Sequence, residues 1–297
     1  MLEFKEPEIA DKAWVDPLLK ISDYMGCAYS FGNLYTWRAS FTTRIARHGD
    51  VLFVKNNDAH NQFAFPAGRV ENLSECIELM QQNAAKHSVP LVIRGVTAEQ
   101  KALLEAAVPN SFTYASDRDW FDYVYNTSDL INLAGKKYHG KRNHIAKFNR
   151  EFPNWSYEAL SQENLDDCRA MLKEWYAQAS PEDKGLQSEE AAINDALESY
   201  EALDFKGAII RVDGKPVAFT MGERLNSNTF CIHFEKALSA FPGSYPMINR
   251  EFCEHELAEY QYVNREEDIG IEGLRKAKLS YYPAILLEKF RAVDVNA

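Results

Sequence analysis

Residues 207–225 read GAIIRVDGKPVAFTMGERL, two apolar runs joined by Asp213-Gly214. Asp-Gly between strand-like segments signals a hairpin, because the tight turn asks for positive φ at its centre. The neighbouring stretches supply the rest of a domain. Upstream lie a strand at 155–160 (WSYEAL) and a helix at 163–178 (ENLDDCRAMLKEWYAQ). Downstream come a strand at 228–237 (NTFCIHFEKA), a helix over about 245–259 and a strand at 260–266 (YQYVNRE), then a helix at 271–280 and a last strand at 284–293 (AILLEKFRAV). This alternation predicts an α/β chain: a mixed sheet with helices on both faces.

The first half repeats the order. A short strand at 1–9 and a helix at 10–21 precede an aromatic-rich stretch, YSFGNLYTWRASF. A hairpin turns at His48-Gly49-Asp50, and NQFAFPAG forms a further strand. A helix follows at 72–87, with Leu73, Cys76, Ile77 and Met80 at helical spacing, then a strand (PLVIRGV), a helix (AEQKALLEAAV) and a closing strand (FDYVYN). The expected division is 1–130 and 131–297, with a basic helix at 136–151 at the junction.

The bulk composition is that of a soluble globule. The 297 residues are 46% apolar and 26% charged, ample for one large core or two smaller ones. No apolar run approaches the roughly 20 residues of a membrane span, and the N-terminus shows no signal-peptide pattern. The five cysteines are widely spaced and contain no C-x-x-C. They read as reduced thiols of a cytoplasmic protein, and no metal site is expected. There is no G-x-S-x-G, H-E-x-x-H or Walker loop. A formal charge of −11 disfavours unselective nucleic-acid binding, DNA included, except at a local cationic patch.

Such a patch exists. Residues 136–150 hold six Lys and Arg, two His and no acid. Tyr138, Ile145, Phe148 and Phe152 fall on one helical stripe that can dock on a core. Lys136, Lys137, Lys141, Arg142 and Lys147 then crowd the remaining surface. They form either a solvated face balanced by acids elsewhere or a grip on phosphates.

The order of elements in both halves resembles the acetyltransferase (GNAT-type) fold, here in tandem. Two stretches make the likeness specific: LINLAGKKYHGKRNHIAKFN (130–149) and NREEDIGIEGLRKAKLSYYPAILLEKF (264–290). They resemble the bacterial family named for the C-terminal domain of phosphatidylglycerol lysyltransferase, which is related to the Fem-type aminoacyl transferases. Gly135-Lys136-Lys137 with Arg142-Asn143 and Phe148, and Gly273-Leu274-Arg275 with Lys278 and Pro283, carry the match.

The resemblance implies an acyl or aminoacyl transferase. Its donor would be an aminoacyl-tRNA, gripped at the acceptor end, or an acyl-CoA; its acceptor would be the amine or hydroxyl of a small molecule, peptide or lipid head group. The rivals are an acetyl-CoA-dependent N-acetyltransferase and an inactive anion-binding protein of the same fold. The donor loop keeps only Gly243 where coenzyme A binders have two close glycines, which disfavours the first rival. Glu266 and Glu267, beside Arg265 at a strand end, are candidate bases for an acceptor amine, or members of a salt-bridged loop. Arg275 and Lys278 share a helix face and bind a phosphate or carboxylate, or pair with Glu266–Asp268. Strand alternation puts His233 and Glu235 on one face, which adds Glu235 to the candidate carboxylates.

Overall fold

The computed structural model describes residues 2–56, 62–177 and 184–295. The first half opens with α1 (Lys12–Ser22), α2 (Phe31–Thr36) and α3 (Arg38–Phe41). The hairpin β1 (Arg44–His48) and β2 (Val51–Asn56) follows, then β3 (Gln62–Ala64), β4 (Ala67–Gly68), α4 (Leu73–Lys86), β5 (Val92–Val96), α5 (Ala98–Ala107) and β6 (Phe112–Ser116). The chain continues through β7 (Asp122–Asn126), α6 (Thr127–Asn132), α7 (His139–Glu151), β8 (Trp155–Ala159), α8 (Leu165–Tyr176) and α9 (Lys184–Glu198). It closes with β9 (Lys206–Val212), β10 (Lys215–Arg224), β11 (Thr229–Ala237), α10 (Ser244–Glu256), β12 (Tyr262–Asn264), α11 (Glu272–Leu279), β13 (Ile285–Leu287) and β14 (Phe290–Asp294). The strand expected at 1–9 is a single bridge from Lys5 to Ile45.

Local chemistry explains the boundaries. Asn72 caps α4 by accepting from the Glu75 amide, and Thr97 and Gln100 form a reciprocal capping box on α5. The expected basic helix at 136–151 is a 3₁₀ turn over Lys136–Tyr138 followed by α7. Its apolar stripe behaves as read: Tyr138, Ile145 and Phe148 are buried, and Phe152 packs against the same cluster.

The structure has two compact units. One comprises residues 1–122, 267–275 and 286–297; the other comprises 123–266 and 276–285. The first unit has the sheet order β1-β2-β3-β5-β14-β6, with β4 beside β2. β3 runs parallel to β5, and β14 is antiparallel to both β5 and β6. The second unit has the order β13-β7-β12-β11-β10-β9-β8. Its hairpin closes with Val212 opposite Lys215, leaving Asp213-Gly214 as the turn. Its core gathers Tyr123, Tyr125, Phe148, Ile210, Phe230, Ile248 and Phe252.

The division at 130 is corrected by this pairing. FDYVYN does not close the first sheet; as β7 it lies antiparallel to β12 in the second. The final stretch is two strands, and the latter, β14, enters the first sheet. Each half of the sequence therefore gives its last strand to the other half's sheet.

In the second unit β11 and β12 pair only from Thr229 opposite Tyr262 to Cys231 opposite Asn264. β12 then ends, while β11 runs on to Ala237. This parting of two parallel strands positions the site.

Candidate functional site

Arg265 follows directly on β12, and Glu235 lies on β11 beyond its pairing with β12. Arg265 Nη2 donates to Glu235 Oε1 at 2.7 Å. The other Glu235 oxygen accepts from Asn249 Nδ2, on α10, at 3.2 Å. The clamp leaves two buried polar atoms without a protein partner, Arg265 Nη1 and Asn249 Oδ1. Such atoms are costly to leave unpaired in a native interior and are satisfied by a water or a ligand. The guanidinium also lies 5.0 Å from the Tyr281 ring centre. Burial opposes its charge, but Glu235 outweighs that, so Arg265 is held above its usual value. Lys278 Nζ donates to the Arg265 carbonyl at 2.6 Å; Lys278 thus fixes the arginine's backbone.

Lys141 reaches the same place from α7, its Nζ 3.7 Å from the Tyr281 ring centre. Burial, and the like charge of Arg265, push its ammonium down to about 8. A cation beside a donor and an acceptor, all held on separate elements, can polarise a carbonyl and move a proton.

His233 departs from the alternation. Met221 pairs with Phe234 and Gly222 with Ile232, so His233 is the extra residue of a β-bulge. The shift separates His233 from Glu235. His233 Nδ1 meets Glu266 Oε1 at 2.8 Å and its Nε2 meets Glu223 Oε1 at 2.9 Å. Burial alone would disfavour the imidazolium, but Cys231 and the two carboxylates hold His233 well above its ordinary value.

In the first unit Glu267 is taken by a different cluster. Lys289 Nζ lies 2.6 Å from Glu267 Oε1 and 2.5 Å from Asp122 Oδ1, with Cys27 Sγ 3.6 Å away. Burial works against the Glu267 carboxylate, yet Lys289 keeps it below the usual range. Arg275 forks onto Asp268, at 2.8 and 2.7 Å, and reaches Asp119 at 2.5 Å. Of the two roles read for Arg275, pairing with the 266–268 acids is the one its contacts follow. The candidate residues thus fall into separate clusters, and Asn249, Glu223, Asp122 and Lys289 escaped the sequence reading. Each is an ordinary residue that only tertiary pairing brings to a cluster.

Residues 19–293 match the protein family described as phosphatidylglycerol lysyltransferase, C-terminal. The chain belongs to this family. A conserved protein of unknown function from Bacteroides thetaiotaomicron has a crystal structure 38% identical to it, covering 99% of this chain and 100% of that one, with a TM-score of 0.94. The C-terminal domain of a proposed lysylphosphatidylglycerol synthetase from Agrobacterium fabrum shares the fold at 13% identity, with a TM-score of 0.69 over 96% of this chain and 92% of that one. An uncharacterised protein of Mycoplasmoides gallisepticum is 22% identical over 177 residues, 57% of this chain and 54% of that one. The chain thus spans about half the length of that curated relative. The family takes its name from a lysyltransferase, and the Agrobacterium domain shares this chain's fold.

The residues expected to bind phosphate are only partly free for ligands. Arg142 donates to the Leu133 and Gly135 carbonyls and so caps the end of α6. Lys147 lies 3.8 Å from Glu151, the acid just beyond the stretch, and Lys137 lies 3.9 Å from Asp129. Lys136, Lys137 and Lys147 are exposed, whereas Lys141 turns inward. Gly243, at φ 99°, packs on α7: a Cβ there would stand 2.6 Å from the His144 carbonyl oxygen. Its bareness serves helix packing. Among the described residues no helix is long and apolar enough to cross a membrane.

Proposed function

We propose that this family member transfers an aminoacyl group from aminoacyl-tRNA to an amine or hydroxyl acceptor, working where β11 and β12 part. The observation that carries the reading is the pair of buried, unpartnered atoms, Arg265 Nη1 and Asn249 Oδ1, held on either side of Glu235 and beside Lys141. With an amine acceptor, the nitrogen attacks the ester carbonyl, a C–N bond forms and the C–O bond to the ribose breaks; a hydroxyl acceptor forms a C–O bond in the same way. Arg265 Nη1 donates to the developing oxyanion. Asn249 Oδ1 accepts from the attacking amine and aims it, and Glu235 holds both in place. Lys141 gives a proton to the departing ribose oxygen and recovers one from the acylated nitrogen. Exposed Lys136, Lys137 and Lys147 lie along α7 and its leading turn to meet the acceptor-end phosphates. Five buried cysteines, none of them in a disulfide, favour a cytoplasmic setting.

Acyl-CoA is the weaker donor, because the single glycine of the loop is spent on packing. The test is transfer of labelled amino acid from aminoacyl-tRNA to a panel of amines and hydroxyls, with tRNA retention measured in parallel. Arg265→Lys and Asn249→Leu should keep retention and lose transfer by 100-fold or more, on the order of one oxyanion-hole donor. The triple reversal of Lys136, Lys137 and Lys147 to Glu should lose retention. Equal retention by the reversed and unchanged proteins would sink the reading. Stabilisation by acetyl-CoA, about 2.7 kcal/mol at 100 times Kd, would favour the rival donor.

A further inference from the structure

Cys231, His233 and Glu266 form a ligand set that the transfer reaction does not use. Cys231 Sγ lies 3.7 Å from His233 Nδ1 and 4.0 Å from Glu266 Oε1, and Nδ1 and Oε1 are 2.8 Å apart. Thiolate, imidazole and carboxylate bind a borderline-soft divalent ion at about 2.3, 2.0 and 2.1 Å respectively. A tetrahedral ion with those bond lengths spaces its ligand atoms roughly 3.3–3.6 Å apart. The observed separations bracket that range, and shifts of up to about half an ångström bring all three into it. Cys231 and His233 stand two apart on β11, and Glu266 approaches from the end of β12.

The surroundings match what metal-binding histidines have around them. The far nitrogen of His233 faces Glu223 Oε1, on β10, at 2.9 Å. A carboxylate there fixes the ring's tautomer and orientation and raises its basicity. The imidazole has no exposed surface, while Glu266 keeps 17% of its side-chain surface open, an entry for an ion and a water. The other thiol–carboxylate group, Cys27 with Asp122 and Glu267, already encloses the Lys289 ammonium. A cation there would have to displace a lysine.

We propose that Cys231 Sγ, His233 Nδ1 and Glu266 Oε1 bind one zinc ion, with Glu223 positioning the histidine and a water in the fourth place. Binding releases the protons of the Cys231 thiol and of His233 Nδ1 and forms three bonds from these atoms to the ion. The ion holds the end of β12 to the bulge of β11. No spacing motif announces the site, because its ligands come from β11 and from the turn after β12, which only the fold brings together.

Cobalt is the probe, since a thiolate bound to Co²⁺ gives a near-ultraviolet charge-transfer band. Chelator-treated protein titrated with Co²⁺ should develop this band to one equivalent, and Zn²⁺ should abolish it. Cys231→Ser should remove the band, Cys27→Ser should keep it, and Glu223→Gln should weaken binding about 10- to 100-fold. Zinc should also protect Cys231 from alkylation in the unmutated protein, a readout that survives if the variants fail to fold. A band absent from the unmutated protein, kept by Cys231→Ser or lost in Cys27→Ser would overturn the proposal, as would alkylation of Cys231 at the same rate with and without zinc.

Discussion

His233 and Glu235 stand two residues apart on β11, and the structure sends them to different neighbours. Period-two alternation cannot see the bulge between them, but Gly222 opposite is its trace. A Cβ at Gly222 would lie 1.9 Å from the Cys231 carbonyl oxygen, so only glycine lets the two strands close at the register shift. Gly222→Ala is expected to cost about 3 kcal/mol or more through forced strand separation, read as a fall in the urea midpoint. An unchanged midpoint would place the bulge elsewhere. Lys141 allows a second test. Its folded value near 8 lies below the 10.5 of a free lysine. Between those values the unfolded chain holds a proton that the folded chain has released, so this group's contribution to stability rises with pH across that window. The ammonium that feeds the leaving oxygen is lost over the same range. Transfer should therefore decline above pH 8 in the intact protein, and Lys141→Arg, charged throughout, should lose that inflection along with most of its rate. A decline at the same pH in Lys141→Arg would assign the inflection to another group.

At the scale of elements, hairpin turns and amphipathic helices were legible because each is set by residues close in sequence. Asp213-Gly214 placed β9 and β10, and the Tyr138–Phe148 stripe placed α7. The helix α9 escaped because its buried face is Ala192, Ile193, Ala196 and Leu197, and alanine writes a faint apolar signal. The basic face of α7 was legible as charge but not as contacts. Sequence alone does not separate Arg142, which caps α6, from Lys141, which turns inward, because both belong to one run of cations. The packing of α7 on α10 rests on Gly243. Gly243→Ala must push the His144 carbonyl away and adopt a left-handed backbone, an expected cost of about 1–3 kcal/mol. Hydrogen exchange should then quicken in α7 and the first turn of α10 before it does in β9 and β10. Uniform quickening over the sheet would contradict a local junction.

For the whole molecule, the element order revealed two sheets, but the owner of each last strand was hidden. Sheet membership depends on pairings between residues more than a hundred apart, such as Val293 with Val92, and local pattern carries no such information. This has a consequence for any attempt to divide the chain. A fragment ending at 130 lacks β14, which lies between β5 and β6 and is hydrogen-bonded to both. It would expose two unsatisfied strand edges and the buried Ala292 position they share. A fragment beginning at 131 lacks β7, and with it Tyr123 and Tyr125, both fully buried in the second core. Loss of a large buried aromatic costs about 3–5 kcal/mol, and two approach the entire stability of an ordinary domain. Neither fragment should therefore show a cooperative melt by near-ultraviolet circular dichroism. A fragment of residues 1–122 joined by a flexible linker to 286–297 should recover one, since it restores β14 to its slot. Melting of the 1–130 fragment as sharply as this joined form would mean that the exchanged strand contributes little, and that the first sheet closes without it.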